Sequence, residues 1–110
     1  MNTMTSSQSR APTKIEPYNS LEISLHWSTG EHFVVPYFEL RFQCPCAGCV
    51  DEKTGRRMVK REQIKPDVRP LDVALVGRYA IQFNWSDKHI TGMYHYETLF
   101  LICQAYGRRL

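Results

Sequence analysis

Three cysteines fall within six residues, in Cys44-Pro45-Cys46-Ala47-Gly48-Cys49. No other feature constrains the fold of this chain so tightly. Thiolates bind Zn²⁺ strongly, and a C-x-x-C turn can point two sulfurs at one ion. Gly48 lies inside that turn, where a residue of positive φ is often needed and glycine bears no steric cost. Pro45 stiffens the step between the first two sulfurs. A disulfide would use two of the thiols and leave the third odd. A redox pair would want the C-x-x-C to open a helix after a strand, and the Gly/Pro-rich surroundings do not read that way. The cluster therefore points to a metal. Three cysteines leave a tetrahedral site one ligand short.

Length limits what else the chain can build. At 110 residues it has room for one domain and one core. Residues 1–17 are rich in Ser, Thr, Gln and Pro and offer little to bury. They are expected to form a disordered N-terminal tail, leaving residues 18–110 as the folded body. A body that small benefits from a metal staple. Met1–Arg10 is polar and has no apolar core, unlike a signal peptide, so the expected compartment is cytoplasmic, where thiols stay reduced. The formal charge of +3 favours solubility and does not establish a nucleic-acid partner. No apolar run approaches the ~20 residues of a membrane helix.

Hydrophobic periodicity predicts strands first and a helix last. Leu21 to Trp27 alternates apolar and polar, with Leu21, Ile23, Leu25 and Trp27 on the inner face. Ser28-Thr29-Gly30 turns the chain, and Glu31 to Val35 returns until Pro36 stops it. Tyr37 to Phe42 reads as a short helical turn leading into the cysteines. Asp51 to Lys65 is a long charged loop with at most a brief ordered piece. Val73 to Val76 is a short strand. Tyr79 to Trp85 alternates again, Ser86-Asp87-Lys88 turns, and Ile90 to Tyr94 returns. Tyr96, Leu99, Phe100, Cys103 and Tyr106 then recur at helical spacing, and Gly107 stops the run. The two hairpins read as copies when Trp27 is laid on Trp85: Ser28 falls on Ser86, Phe38 on Tyr96, Glu39 on Glu97. The expected fold class is α+β: antiparallel β-hairpins, with a β-β-α duplication, a C-terminal helix and a zinc-stapled loop.

Five side chains compete to be the fourth ligand: His26, His32, His89, His95 and Cys103. Cys103 shares a helical face with Leu99, Ile102 and Tyr106, where a buried free cysteine is common. His95 precedes the helix. His26 alternates with the apolar residues of its strand and should face outward. His32 follows the first turn. His89 stands just beyond a tight turn, a position that commonly carries ligands. Pattern alone favours His89 and leaves the others open.

Trp27-Ser28-x-Gly30, Phe38-x-Leu40-Arg41, Cys44-Pro45-Cys46-x-x-Cys49, Val76-Gly77-x-Tyr79-Ala80 and Trp85-Ser86-Asp87-x-His89-x-Thr91-Gly92-x-Tyr94 together resemble the DUF971 family. This domain also stands at the N-terminus of γ-butyrobetaine and trimethyllysine hydroxylases. The resemblance runs from about Pro17 to Tyr106. It implies a zinc held by three cysteines and one histidine, at Cys44, Cys46, Cys49 and His89. Lys88 departs from the pattern, standing where many members have glycine.

The resemblance does not imply hydroxylase activity, which belongs to a separate C-terminal domain of those enzymes. An Fe(II) oxygenase needs two histidines and a carboxylate around the metal. The one His-x-acid pattern here, His95-Tyr96-Glu97, has no later histidine to complete it. There is no G-x-x-x-x-G-K-[ST] phosphate loop either. The expectation is a non-enzymatic accessory or protein-interaction module. Relatives fused to P-loop ATPases that carry iron–sulfur clusters suggest that kind of partner. The competing readings are a metal-dependent enzyme accessory or a metal-transfer protein, with iron as the alternative metal, and a nucleic-acid-binding zinc module. The last would use Lys53, Arg56, Arg57, Lys60, Arg61 and Lys65, but Asp51, Glu52, Glu62 and Asp67 interleave with them, as in a solvated loop.

Overall fold

The computed structural model describes residues 10–46, 48–51, 53–89 and 92–110. It is an α+β fold of two antiparallel sheets. Strands β1 (Pro12–Pro17), β2 (Glu22–Trp27) and β3 (His32–Pro36) lead into a short helix α1 (Tyr37–Phe42). A charged loop follows, with one 3₁₀ turn at Arg61–Gln63. Strands β4 (Pro70–Val76), β5 (Ala80–Trp85) and β6 (Met93–His95) then lead into helix α2 (Tyr96–Tyr106), and β7 (Arg108–Arg109) closes the chain. The sheet orders are β1-β2-β3-β7 and β4-β5-β6.

Three sequence expectations need correction. Pro12–Pro17, assigned to the tail, is strand β1 and pairs along β2 from Pro12 opposite Trp27 to Pro17 opposite Ile23. Its polar, proline-bounded composition hid it, because an edge strand needs backbone partners more than apolar side chains. Residues 1–9 of that expected tail lie outside the described residues. Leu21 is outside the core at 55% exposure, and Ser24 is inside at 3%. The strand begins only at Glu22, and Ser24 can be buried because its hydroxyl meets Nε2 of His32 at 2.7 Å. The expected return from Ile90 is ordered as Met93–His95; Ile90 and Thr91 lie outside the described residues.

The duplication is deeper than β-β-α. In both halves a tryptophan amide receives the chain back from the turn: Trp27 N–H donates to the Glu31 carbonyl, and Trp85 N–H to the His89 carbonyl. Gly30 N–H donates to the Trp27 carbonyl, and Lys88 N–H to the Trp85 carbonyl. Ser28 exchanges hydrogen bonds with the backbone of Ala11 as Ser86 does with Arg69. The preceding strands, β1 and β4, break register just after Pro12 and Pro70 respectively. Each unit is therefore β-β-β-α. The helices start at Tyr37 and Tyr96, whose amides donate to Leu21 and Tyr79. The second unit carries one extra residue between its turn and its helix, so Tyr37, not Phe38, answers Tyr96, and the pairing of Glu39 with Glu97 is lost.

This equivalence explains Lys88. The turn needs a left-handed residue at its fourth position. Gly30 supplies it at φ 103°, and Lys88 supplies it at φ 69°, the one non-glycine residue of positive φ among those described. An L-residue there costs about 1–2 kcal/mol, partly offset by glycine's greater freedom when unfolded. Lys88→Gly should thus raise stability by about 0.5–1 kcal/mol, read as a higher melting temperature. A lower melting temperature would show that Lys88 contributes something beyond the turn.

The two units are interlocked through one core. β2 and β3 contribute Ile23, Leu25, Trp27, Phe33 and Val35, and β5 and β6 contribute Ile81, Phe83, Trp85 and Tyr94. Phe100 of α2 meets Trp27 and Phe33 of the first sheet edge-on, at 5.1 and 5.7 Å between centroids. In the other direction, Tyr94 of β6 donates its buried hydroxyl to the Leu40 carbonyl of α1. Each helix is thus tied to the opposite unit. That arrangement sets the end of α1 beside the second turn.

Candidate metal centre

Cys44, Cys46 and Cys49 follow directly from α1. Its last turn runs on through Gln43 N–H to the Glu39 carbonyl and Cys44 N–H to the Arg41 carbonyl. The chain then curls so that the amides of Cys49 and Val50 both donate to the Cys46 carbonyl. The strand-like return is held by Met58 N–H on the Cys49 carbonyl and by pairing of Val50 with Arg57. Arg57 closes the curl from outside, one guanidinium nitrogen donating to the carbonyls of Phe42 at 2.9 Å and Cys44 at 2.7 Å.

His89 arrives from the second unit, on the residue after the left-handed turn. Its Nε2 lies 3.1 Å from Sγ of Cys44, 3.3 Å from Sγ of Cys46 and 3.7 Å from Sγ of Cys49. All four donor atoms lie within 4.8 Å of one another. For Zn–S of about 2.3 Å and Zn–N of about 2.05 Å, a tetrahedron has S···N edges of about 3.5 Å. The four side chains fit that shape and could hold a metal ion. Cys44 and Cys49 are buried, whereas Cys46 and His89 are half-buried and open the group on one side.

Burial pushes the Cys44 thiol up to about 12 and also raises that of Cys49. Without a cation these sulfurs keep their protons; a metal would displace them. Burial, then the Arg41 cation, pushes His89 below its ordinary value, which keeps the imidazole neutral and able to ligate.

Arg41, on α1, is 7% exposed. Its Nε donates to Asp87 at 2.9 Å and its Nη1 approaches Sγ of Cys49 at 3.7 Å. Asp87 in turn accepts the His89 amide at 3.2 Å. A Cys₃His site around a divalent ion carries one net negative charge, and Arg41 is the cation placed to offset it. Gly92 is buried against the cluster: a Cβ there would stand 2.7 Å from Sγ of Cys44. Sequence reasoning singled out none of Arg41, Asp87, Arg57 or Gly92 as parts of the site. Three of the four lie within the family pattern, but their spacing alone carries no ligand chemistry.

The other candidates are elsewhere. His26 and His32 stack on neighbouring strands of the first sheet, 3.7 Å between centroids. His95 stands at the N-cap position of α2, without a side-chain capping hydrogen bond, and stacks on Tyr79. Cys103 is fully buried on α2 in the core. Accordingly, His89→Ala should weaken metal binding by more than the ~10–100-fold that loss of an outer hydrogen-bond partner costs. The corresponding alanine variants of His26, His32 and His95 should leave metal affinity unchanged, and Cys103→Ala should cost packing alone. Competition titration with a chromophoric chelator distinguishes them; metal loss in Cys103→Ala with retention in His89→Ala would reverse the assignment.

Residues 7–100 match the family described as gamma-butyrobetaine hydroxylase-like, N-terminal. The chain belongs to this family. A crystal structure of a DUF971-family protein of unknown function from Acidithiobacillus ferrooxidans is 29% identical, with a TM-score of 0.62 over 83% of this chain and 90% of that one. A protein whose solution structure was determined by NMR is 23% identical, with a TM-score of 0.70 over 84% of this chain and 68% of that one, and speaks to the fold alone. No protein of curated function matches the chain. Among the described residues, no helix of this family member is long and apolar enough to cross a membrane.

Proposed function

We propose that this chain is a non-enzymatic protein-interaction module whose fold is stapled by one structural zinc on Cys44, Cys46, Cys49 and His89. The observation that carries the reading is the convergence, within 4.8 Å, of three sulfurs and an imidazole nitrogen from segments about 45 residues apart. Four protein donors fill a tetrahedron and leave no open position for substrate. The family's place beside, and not within, the oxygenase domain of hydroxylases supports a binding role.

The binding surface in this reading is the loop that the zinc curl projects, residues 53–65. Two of its cations serve the fold: Arg57 on the curl carbonyls, and Arg61 on both carboxylate oxygens of Glu39. Lys53, Arg56, Lys60 and Lys65 are exposed. They suit an acidic protein surface, where charge sets encounter rate and orientation. A P-loop ATPase that carries iron–sulfur clusters is the partner that the family's fusions suggest. Reversing Lys53, Arg56, Lys60 and Lys65 to glutamate should abolish capture of that ATPase while zinc content and melting temperature persist. Undiminished capture by the reversed loop would sink the loop as the surface. Submicromolar, salt-sensitive binding to DNA or RNA would favour the nucleic-acid reading instead.

A second reading, transfer of a metal such as iron, draws on the half-buried Cys46 and His89, the open side of the group. It requires the bound metal to pass to an acceptor within minutes; a metal retained for days excludes it.

A further inference from the structure

Four sheet edges are formed by the described residues: β1, β7, β4 and β6. An open edge offers backbone hydrogen bonds to any passing strand, so natural proteins blunt it. β1 is bounded by Pro12 and Pro17 and carries the Lys14–Glu16 ion pair. β7 is two arginines long, and β6 three residues long. β4 shares with β1 a leading proline and the register break that follows it, but from Asp72 onward its pairing is regular and its edge is unprotected. It is seven residues, Pro70-Leu71-Asp72-Val73-Ala74-Leu75-Val76, with a single charge. Leu71, Val73 and Leu75 are 62, 38 and 70% exposed. All three wall a trough of about 450 Å³ that they share with Asp72 and with Lys14, Ile15 and Glu16 of β1. The Val73 amide is met by the carboxylate of its own neighbour Asp72, at 3.0 Å.

The sequence of β4 is matched to itself. Laid antiparallel on a second copy about Val73, Leu71 falls opposite Leu75, Asp72 opposite Ala74, and Val73 opposite Val73. The lone carboxylate of each copy faces a methyl group, so no like charges oppose each other. Val73 and Leu75 of each copy meet in one row, and Leu71 joins it from the register break that follows Pro70. A pairing on the same register also extends each three-stranded sheet to six strands and removes both exposed edges at once.

We propose that this chain dimerises by antiparallel pairing of β4 with β4 of a second copy, an isologous twofold contact. The occupant is a second copy because β4 read backwards about Val73 sets apolar residue against apolar residue and no carboxylate against another. The site is separate from the metal centre and independent of its proposed role.

Sedimentation equilibrium of the full, metal-loaded chain over a concentration series tests this. The expected result is a monomer–dimer equilibrium. Leu75→Lys should weaken it by at least about tenfold, with metal content and circular dichroism unchanged, because the side chain is exposed in the monomer. Leu71→Lys should do the same. The double variant Leu71→Lys, Leu75→Glu should recover part of the loss, since the register sets each lysine against a glutamate of the other copy. Amide exchange on the unaltered chain gives a reading that needs no variant: protection at Leu71, Val73 and Leu75 should rise with concentration. A chain that stays monomeric to about 1 mM, or a dimer indifferent to Leu71→Lys and Leu75→Lys, overturns the proposal. So does concentration-independent exchange along β4.

Discussion

Chelation of the proposed zinc is expected to destabilise this domain severely. Structural zinc contributes on the order of 10 kcal/mol to a small domain at neutral pH, comparable to the whole net stability of about 5–15 kcal/mol of a typical one. Cys44 and Cys49 are buried, and Cys44 is one of the fully buried side chains of the core, so the metal sits where packing and ligation share atoms. Loss of the ion should lower the melting temperature by tens of degrees. The dependence on pH should run in opposite directions with and without metal. The metal-loaded form loses stability as pH falls, because protons compete for the thiolates. In the metal-free fold the Cys44 thiol, pushed up to about 12, holds its proton more tightly than in the unfolded chain. That contribution is complete below the ordinary thiol value of about 8.5 and is lost as pH rises above it. Melting curves with and without chelator across this range measure both. Thermal stability untouched by a chelator that demonstrably removes the metal would refute a structural role.

Arg41→Met is expected to be the most damaging substitution outside the four donor residues. The guanidinium is nearly sealed, its side chain 9% exposed, and it pairs with an Asp87 that is itself 22% exposed. Breaking a buried pair costs about 3–5 kcal/mol; the partial solvent contact of Asp87 places this one near the lower end. The change also leaves a site of net negative charge without its compensating cation, and frees Asp87, which holds the His89 amide. Both stability and metal affinity should therefore fall. Arg41→Lys should restore little, since an ammonium cannot address Asp87 and Cys49 from one planar fork. Denaturant unfolding together with a metal titration separates the two effects. A variant with normal metal affinity would show that Arg41 is only a packing element.

Much of the fold was legible in the residues alone. The strands at Ile23, Leu25 and Trp27 and at Ile81, Phe83 and Trp85 announce themselves by strict alternation, and α2 by its spacing. β5 and α2 follow from one buried face each, whereas β2 buries Ser24 as well as its apolar face. Strand β1 was not legible, because Lys14, Thr13 and Glu16 face water and the strand is defined by hydrogen bonds to β2. The first three residues of β4 were hidden for the same reason. At the metal centre the three cysteines identify themselves by chemistry. Pattern alone left His89 among rivals, because the distance from Cys44 to His89 is a property of how two units interlock. Arg41 and Asp87 were invisible as a pair for that reason too: each is an ordinary charged residue until the fold presses them together. The near-repeat of the two tryptophan turns was visible, but its register was not, since a single extra residue before α2 shifts every later match.

The duplicated turns end in different residues, Glu31 in the first unit and His89 in the second, while only α1 is followed by thiols. The two copies have thus diverged into complementary halves of one donor set, the first contributing sulfur and the second nitrogen. A metal on these donors would rivet one half of the molecule to the other, at the same end where Tyr94 reaches Leu40 and Arg41 reaches Asp87. Neither half could then open while the other stayed closed. Such a molecule has no partly unlatched form on its energy surface, and its slowest amides in both sheets should exchange at a single common rate.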